Sequence, residues 1–282
     1  MGQSYSIRLM EKDDAPQTVD LTNLMNWGFG EEDFAYMMRL EPEGCFVVVR
    51  GDKVIGVTTS ISYGPIGWVG NIIVEPEERG KGIGAALVSE ALNHLKATGV
   101  TTTGLYAYRN VVPFYEGLGF KADRNFSWLV CRKVSWTGEQ MPKPDSLDLQ
   151  AIVEFDRQCF GAPRGRLLKT IYDSPQGICD AVLEDGKPVT YLMAVKSSTT
   201  TEIGPWICTP GREEEGFRLF RSLGNELNGL ETHVGVPSDR SDVADFLLKL
   251  GFVKDFPVVR MFRGPTPADR GCILAMESLE RG

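Results

Sequence analysis

The sequence predicts an α/β protein made of two copies of one mixed-sheet fold, and three observations predict it. Between Val74 and Thr98 a strand end, a glycine loop and a helix follow one another directly. Runs of β-branched residues flank tight turns, as in Val47 to Val57 around Arg50-Gly51-Asp52-Lys53. Two local marks also recur at one spacing. Arg50-Gly51-Asp52-Lys53-Val54-Ile55 is echoed by Glu184-Asp185-Gly186-Lys187-Pro188-Val189, and Leu118-Gly119-Phe120 by Leu250-Gly251-Phe252. Lys53 and Lys187 lie 134 residues apart and Phe120 and Phe252 lie 132 apart, which indicates a duplicated unit.

Each element has a local reason. Segment 45–63 reads as two strands around the 50–53 turn, and 69–74 as a further apolar strand. Segment 82–98 places Ile83, Leu87, Ala91 and Leu95 on one helical stripe that begins where the glycines stop. Gly80, Gly82 and Gly84 carry no Cβ, so an anion can approach the backbone N–H groups at the start of that helix. Arg79 and Lys81 add countercharge. Gly119 suits a helix C′ position with positive φ, and Phe120 then opens the next strand.

Spacing separates the glycine loops that could be meant. A Walker loop requires G-x-x-x-x-G-K-[ST], which residues 80–86 do not supply. A dinucleotide fingerprint starts at the strand end and needs an acid about 20 residues later; five residues separate Val74 from Gly80, and Val100 to Leu105 holds no acid. What remains is R-x-x-G-x-G, Arg79 to Gly84, after a strand ending in Val-x-Pro. It resembles the pyrophosphate loop of the GCN5-related N-acetyltransferase (GNAT) superfamily; a chance glycine turn is the competing reading of the loop alone. Val112-Pro113-Phe114-Tyr115-Glu116-Gly117-Leu118-Gly119-Phe120 resembles that superfamily's F/L-Y-x-x-L-G-F segment, and the resemblance runs in order over about 6–133.

The resemblance implies a mixed, mostly antiparallel sheet flanked by helices, and acetyl-CoA as co-substrate. It assigns the diphosphate to Arg79, Gly80, Lys81, Gly82, Ile83, Gly84 and Ala85, and the pantetheine arm to the backbone of Ile72, Ile73 and Val74. It places an oxyanion-stabilising N–H near Ile72, makes Tyr115 the acid that protonates the thiolate, and puts Trp27 where the acceptor is recognised. Packing roles for Tyr115 and Trp27 are the plain alternatives. Two positions depart from the pattern: Tyr108 stands where many members carry an Asn, and Trp68 where some carry a glutamate base. Glu32 and Asp33 are open either as the base or as caps of the second predicted helix.

Applied to the repeat, an offset of about 133 carries Arg79, Gly80, Gly82 and Gly84 onto Arg212, Glu213, Glu215 and Phe217, and Tyr115 onto Leu247. Three glutamates then stand where phosphates would sit, a sign that suits a helix N-terminus but repels a diphosphate. The expected organisation is an intact domain over 1–136, a polar Pro-containing linker over 137–146, and a degenerate copy over 147–282 that packs on the first and walls the acceptor pocket.

Composition narrows the function. The chain has 282 residues, net charge −8 and 42% hydrophobic content. The acidic balance argues against nucleic acid as partner. No apolar run reaches membrane-spanning length and no apolar leader opens the chain, which predicts no membrane partner and a cytoplasmic location. Six cysteines without C-x-x-C spacing read as reduced core residues, with no metal site. With two histidines, His94 late in a helix and His233 in a strand of the degenerate half, a Ser-His-Asp hydrolase has no support. The expected activity is acetyl transfer from acetyl-CoA to an amine of a small molecule or peptide by direct attack, with a homodimer left open. A non-catalytic acyl-CoA-binding or sensing module is the alternative, and a pair of relic domains a third reading that the intact loop disfavours.

Overall fold

A computed structural model of the chain describes residues 5–25, 27–138, 141, 147–196 and 200–282. The first half runs β1 (Ser6–Leu9), α1 (Ala15–Asn23), α2 (Glu31–Leu40), β2 (Cys45–Arg50), β3 (Lys53–Tyr63), β4 (Ile66–Val74), α3 (Ile83–Ala97), β5 (Thr102–Tyr108), α4 (Val112–Gly117) and β6 (Lys121–Cys131). The second repeats this order without its first strand: α5 (Leu149–Phe160), α6 (Gly165–Tyr172), β7 (Gly177–Glu184), β8 (Lys187–Lys196), β9 (Thr200–Cys208), α7 (Glu213–Ser222), β10 (Glu231–Pro237), α8 (Ser241–Lys249) and β11 (Val253–Arg263). A short β12 (Ile273–Ala275) follows. The hairpins fall where the turn residues place them, and Gly119 and Gly251 share the left-handed conformation, φ 86° and 93°.

The two halves share one sheet of 12 strands, ordered β1-β2-β3-β4-β5-β11-β6-β10-β9-β8-β7, with β12 on β9. Each half gives its last strand to the other. β11 pairs antiparallel with β5, from Val258 opposite Tyr108 to Arg263 opposite Thr103. β6 does the same on β10, from Thr232 opposite Cys131 to Pro237 opposite Phe126. The exchanged strands then pair with each other, Val258 facing Phe126, with a register shift near either end. This pseudo-twofold join keeps both halves' first helices on one face. There Phe34, Met37, Ile152, Leu167 and Ile171 form one core with Trp68, Tyr191 and Phe262. α3 packs on the other face of the first half through Leu87, Val88, Ala91 and Leu95, and α7 and α8 on that of the second through Phe220 and Phe246.

Most of the expected linker, 139–140 and 142–146, lies outside the described residues. Its start is packed: Trp136 stacks on Phe220 at 6.0 Å between ring centroids, and a Cβ on Gly138 would lie 1.9 Å from the carbonyl of Arg221.

A buried ion pair ties the front layer to the end of the sequence. Arg164 is 2% exposed and meets Asp156, 0% exposed, at 2.7 Å; Tyr191 donates to the same carboxylate and Arg164 donates to the main-chain oxygen of Gly282. Removing one partner leaves the other charge buried and unpaired, so Asp156→Ala should lower unfolding free energy by about 3–5 kcal/mol. Urea denaturation measures it, and a loss below about 1 kcal/mol would contradict the pairing.

Candidate active site

β4 and β5 run parallel and pair only at Ile66–Trp68 with Thr102–Gly104. Beyond that point they diverge, leaving the facing edges of 69–74 and 105–108 apart. The departure begins at a bulge: Thr59 of β3 faces Gly70 while Val57 faces Ile73, and Asn71 takes a left-handed φ of 53°. Bulges re-aim backbone groups next to sites, and Asn tolerates this conformation. Ile72 and Val74 turn toward the α3 layer and Ile73 toward the front core.

The same opening exists in the second half and is filled there. β9 and β10 pair at Thr200–Ile203 with Glu231–Val234 and then part. β12 lies in the gap: Ile273 and Ala275 pair with Ile207 and Trp206, Cys208 N–H donates to Cys272 O at 2.9 Å, and Met276 N–H donates to Gly235 O at 2.9 Å. The second cleft is thus closed by the chain's own strand, a cause of degeneracy that three short apolar residues do not advertise.

At the end of β4 the glycine loop faces solvent. Gly80 and Gly82 have φ of 76° and 81°, and a Cβ built on either would meet nothing within 4 Å. Gly82 is the N-cap of α3, so the N–H groups of Ile83, Gly84 and Ala85 emerge beside it. This open backbone at the start of a 15-residue helix suits a phosphate. The flanking cations are less free than their spacing suggests. Lys81 meets Glu78 at 3.0 Å, Glu78 also pairs with Arg50, and Arg79 Nε donates to Val74 O at 2.9 Å. The matching helix start in the second half carries Glu213, Glu214 and Glu215; Arg212 holds Glu215 at 2.7 Å and Arg240 reaches Glu213 at 3.3 Å.

Tyr115 lies on α4, 6% exposed, against Val88, Leu105 and Phe120, and burial pushes its hydroxyl pKa up. Its hydroxyl has no hydrogen-bond partner among the described residues. Phe114, half exposed, comes within 3.4 Å of a Cβ built on Gly84 and links the tyrosine to the loop. Trp27, half-buried between α1 and α2, packs edge-on to Phe29 at 5.9 Å and reaches the hydroxyl of Tyr108 on β5. Burial raises the Tyr108 pKa and this indole contact opposes the rise. The structure therefore brings Trp27 to the mouth of the β4–β5 opening, with Tyr115 on the α3–α4 face of the sheet.

Asp33 accepts from Gly30 N–H at 2.8 Å and caps α2, while Glu32 is 93% exposed on the surface. His94 sits 3.7 Å from Glu41 at the far end of α3. Trp68 is 1% exposed and carries the end of the chain: its indole donates to Leu279 O at 3.4 Å, and a Cβ on Gly282 would lie 2.8 Å from its ring. Segment 277–282 crosses the front of the splay, a contribution to the site that its sequence, Glu-Ser-Leu-Glu-Arg-Gly, carries no signal for.

A splayed mixed sheet with an open glycine loop at a helix start is the arrangement of an acetyltransferase fold. The chain belongs to the GNAT acetyltransferase family: residues 10–120 match the acetyltransferase (GNAT) family and residues 152–274 an acetyltransferase (GNAT) domain. It is 25% identical to holothin acyltransferase of Pseudoalteromonas sp. (strain SANK 73390), over 91% of this chain and 87% of that protein. It is 22% identical to the uncharacterized N-acetyltransferase YitH of Bacillus subtilis (strain 168), over 90% of each. Among solved structures, an acetyltransferase-class protein of Pyrococcus horikoshii superposes with TM-score 0.82 at 17% identity, covering 100% of this chain and 97% of that one. A tandem GNAT protein from the clavulanic acid biosynthesis pathway does so with TM-score 0.64 at 15% identity, covering 94% and 100%. The chain is a tandem GNAT acetyltransferase. Among the described residues no helix is long and apolar enough to cross a membrane.

Proposed function

We propose that this chain is an N-acetyltransferase that takes acetyl from one acetyl-CoA, held by the first half, and delivers it to an amine of a small molecule or peptide by direct attack. The observation that carries this reading is the contrast between the two openings. The first pairs a splay with solvent-facing glycines at 80 and 82 and the free N–H groups of Ile83, Gly84 and Ala85 behind them; the second is filled by β12 and fronted by three glutamates. When bound, the thioester supplies an acyl carbon open to attack and a thiolate leaving group. The backbone of Ile72 to Val74 lines the pantetheine edge, an N–H near Ile72 meets the developing oxyanion, and the 80–85 loop holds the diphosphate. Trp27 closes the acceptor side through Tyr108. Tyr115 delivers a proton to the departing sulfur; burial keeps its phenol protonated, as an acid requires.

Calorimetric titration should give one CoA per chain, and an amine panel of polyamines, amino acids, aminoglycosides and peptides should reveal steady CoA release with at least one member. Two sites per chain would sink the division of labour. Binding without release across the panel would favour the acyl-CoA-sensing reading, which the apolar Trp68, at the position where some family members carry a glutamate base, supports. Tyr115→Phe keeps the ring and loses the proton. Turnover should then fall by about 10²-fold with CoA affinity unchanged, whereas a change within about threefold would make Tyr115 a packing residue.

A further inference from the structure

β4 offers no proton acceptor on its front face, where Trp68 is enclosed and Gly70 has no side chain. The space a Cβ on Gly70 would occupy is taken by Glu280: its Cα lies 2.6 Å and its carbonyl oxygen 2.7 Å from that position. The segment is anchored on both sides of this residue. The indole of Trp68 donates to Leu279 O, and Tyr63 Oη donates to Arg281 O at 2.8 Å. Glu280 is therefore set on β4 at the residue where the splay opens, two positions before Ile72. Leu279 packs on the same buried cluster of Phe126, Trp128, Val258 and Met276 as Tyr106 and Tyr108 of β5, and the Glu280 charge acts on Tyr108, the residue Trp27 touches. Next to Gly70, Asn71 is 6% exposed. Its Nδ2 donates to Thr59 Oγ1 at 3.1 Å, and its buried Oδ1 has no hydrogen-bond partner, an acceptor waiting for an N–H donor.

We propose that Glu280, carried by the segment that follows β12, is the residue that takes the proton from the acceptor's ammonium group, with Asn71 Oδ1 receiving an N–H of the same amine. This rests on reading the chain as an amine acetyltransferase. The ammonium gives one proton to the Glu280 carboxylate and becomes a free amine. The nitrogen lone pair forms the C–N bond, and the C–S bond breaks with its electron pair remaining on sulfur, which takes a proton from Tyr115. The nitrogen sheds its second proton, which reprotonates Tyr115 through solvent, and Glu280 releases its own to water, so one proton is liberated per acetyl transferred. The groups facing Glu280 are Ser278, Glu277 and Arg281 of its own segment, Glu202 of β9 and Tyr108 of β5; Asp33 and Tyr36 of α2 face Glu202 in turn. Burial raises the Glu280 pKa, Arg281 opposes the rise and the Glu277 charge adds to it, which makes this carboxylate a readier proton acceptor than an ordinary glutamate. Glu202 adds to this: an offset of 134 from Trp68 places it at the matching position of the second half, and its own pKa is raised by burial and then by Glu280.

The test compares wild type, Glu280→Gln and Glu280→Asp with the acceptor that the amine panel selects and with hydroxylamine, which is uncharged at neutral pH and needs no prior deprotonation. Glu280→Gln should lose about 10²-fold in kcat with the panel amine, keep acetyl-CoA affinity and melting temperature, and keep hydroxylamine-dependent CoA release within about threefold. Glu280→Asp should recover part of the amine activity. Infrared titration of the protein alone should show carboxyl signals titrating above the ordinary Glu range from Glu280 and Glu202, of which the Glu280 signal disappears in Glu280→Gln. Amine turnover within threefold of wild type overturns the proposal and leaves the transferase reading standing. A parallel loss of amine turnover, hydroxylamine turnover and acetyl-CoA affinity makes Glu280 a packing residue and also overturns it. If wild type acetylates no amine, the transferase reading fails and the role of Glu280 fails with it.

Discussion

Gly82→Asp should lower CoA affinity at least tenfold while leaving the fold in place. Gly82 caps α3 with φ 81° and open space around its Cα, so the new carboxylate points outward where a diphosphate would rest. Asp is a favourable N-cap, and its charge suits the positive end of the helix. That gain offsets part of the left-handed strain, about 1–2 kcal/mol for a residue with a Cβ. The ligand loses on two counts: a like charge beside its phosphates, and N–H groups of the first turn recruited by the new side chain. One charge-assisted hydrogen bond is worth about 1.5–3 kcal/mol, or roughly ten- to hundredfold in Kd. Gly84→Asp tests the loop from the other side, because its Cβ would come within 3.4 Å of the Phe114 ring. Calorimetry with CoA, alongside a thermal melt, measures both. Unchanged affinity in a folded Gly82→Asp protein would remove the loop from the site.

The features legible in the sequence are those governed by neighbours close in the chain. The 50–53 and 184–187 turns, the α3 stripe and the left-handed Gly119 and Gly251 each depend on a few adjacent residues. The glycine loop could be separated from other phosphate loops because its spacing carries the chemistry. Strand exchange was not legible, because β6 and β11 are alike in length and alternation and either would satisfy the edge of β5. The choice lies in loops and packing far along the chain. β12 was hidden for a related reason: three residues, Ile273 to Ala275, make no periodic signal, and only the empty gap between β9 and β10 gives them a place. Glu280 reads as ordinary solvated surface until Gly70, Tyr63 and Trp68 are seen to hold its segment.

The exchange sets the last expectation: residues 5–138 produced alone should yield no folded monomer and should instead run as a dimer or larger species. In the whole chain the free edge of β5 is covered by six residue pairs with β11, and β6 pairs only with strands of the second half. Cut from that half, the chain exposes the edge of β5 and leaves β6 with no neighbour of its own, and unpaired edges are templates for association. A second copy can meet both needs. Its β6 is the counterpart of β11 and can lie against β5 in the register that β11 uses, with the two β6 strands crossing near Phe126, where Phe126 now faces Val258. Exchange of identical elements between copies is a low-cost route to a closed dimer. The front face also loses α5 and α6 from the core around Trp68 and Tyr63, so the dimer should melt well below the whole chain. Sedimentation velocity with circular dichroism measures both properties. A folded monomer of residues 5–138 would show that β5 and β6 complete one sheet without the second half, and that the exchange is dispensable.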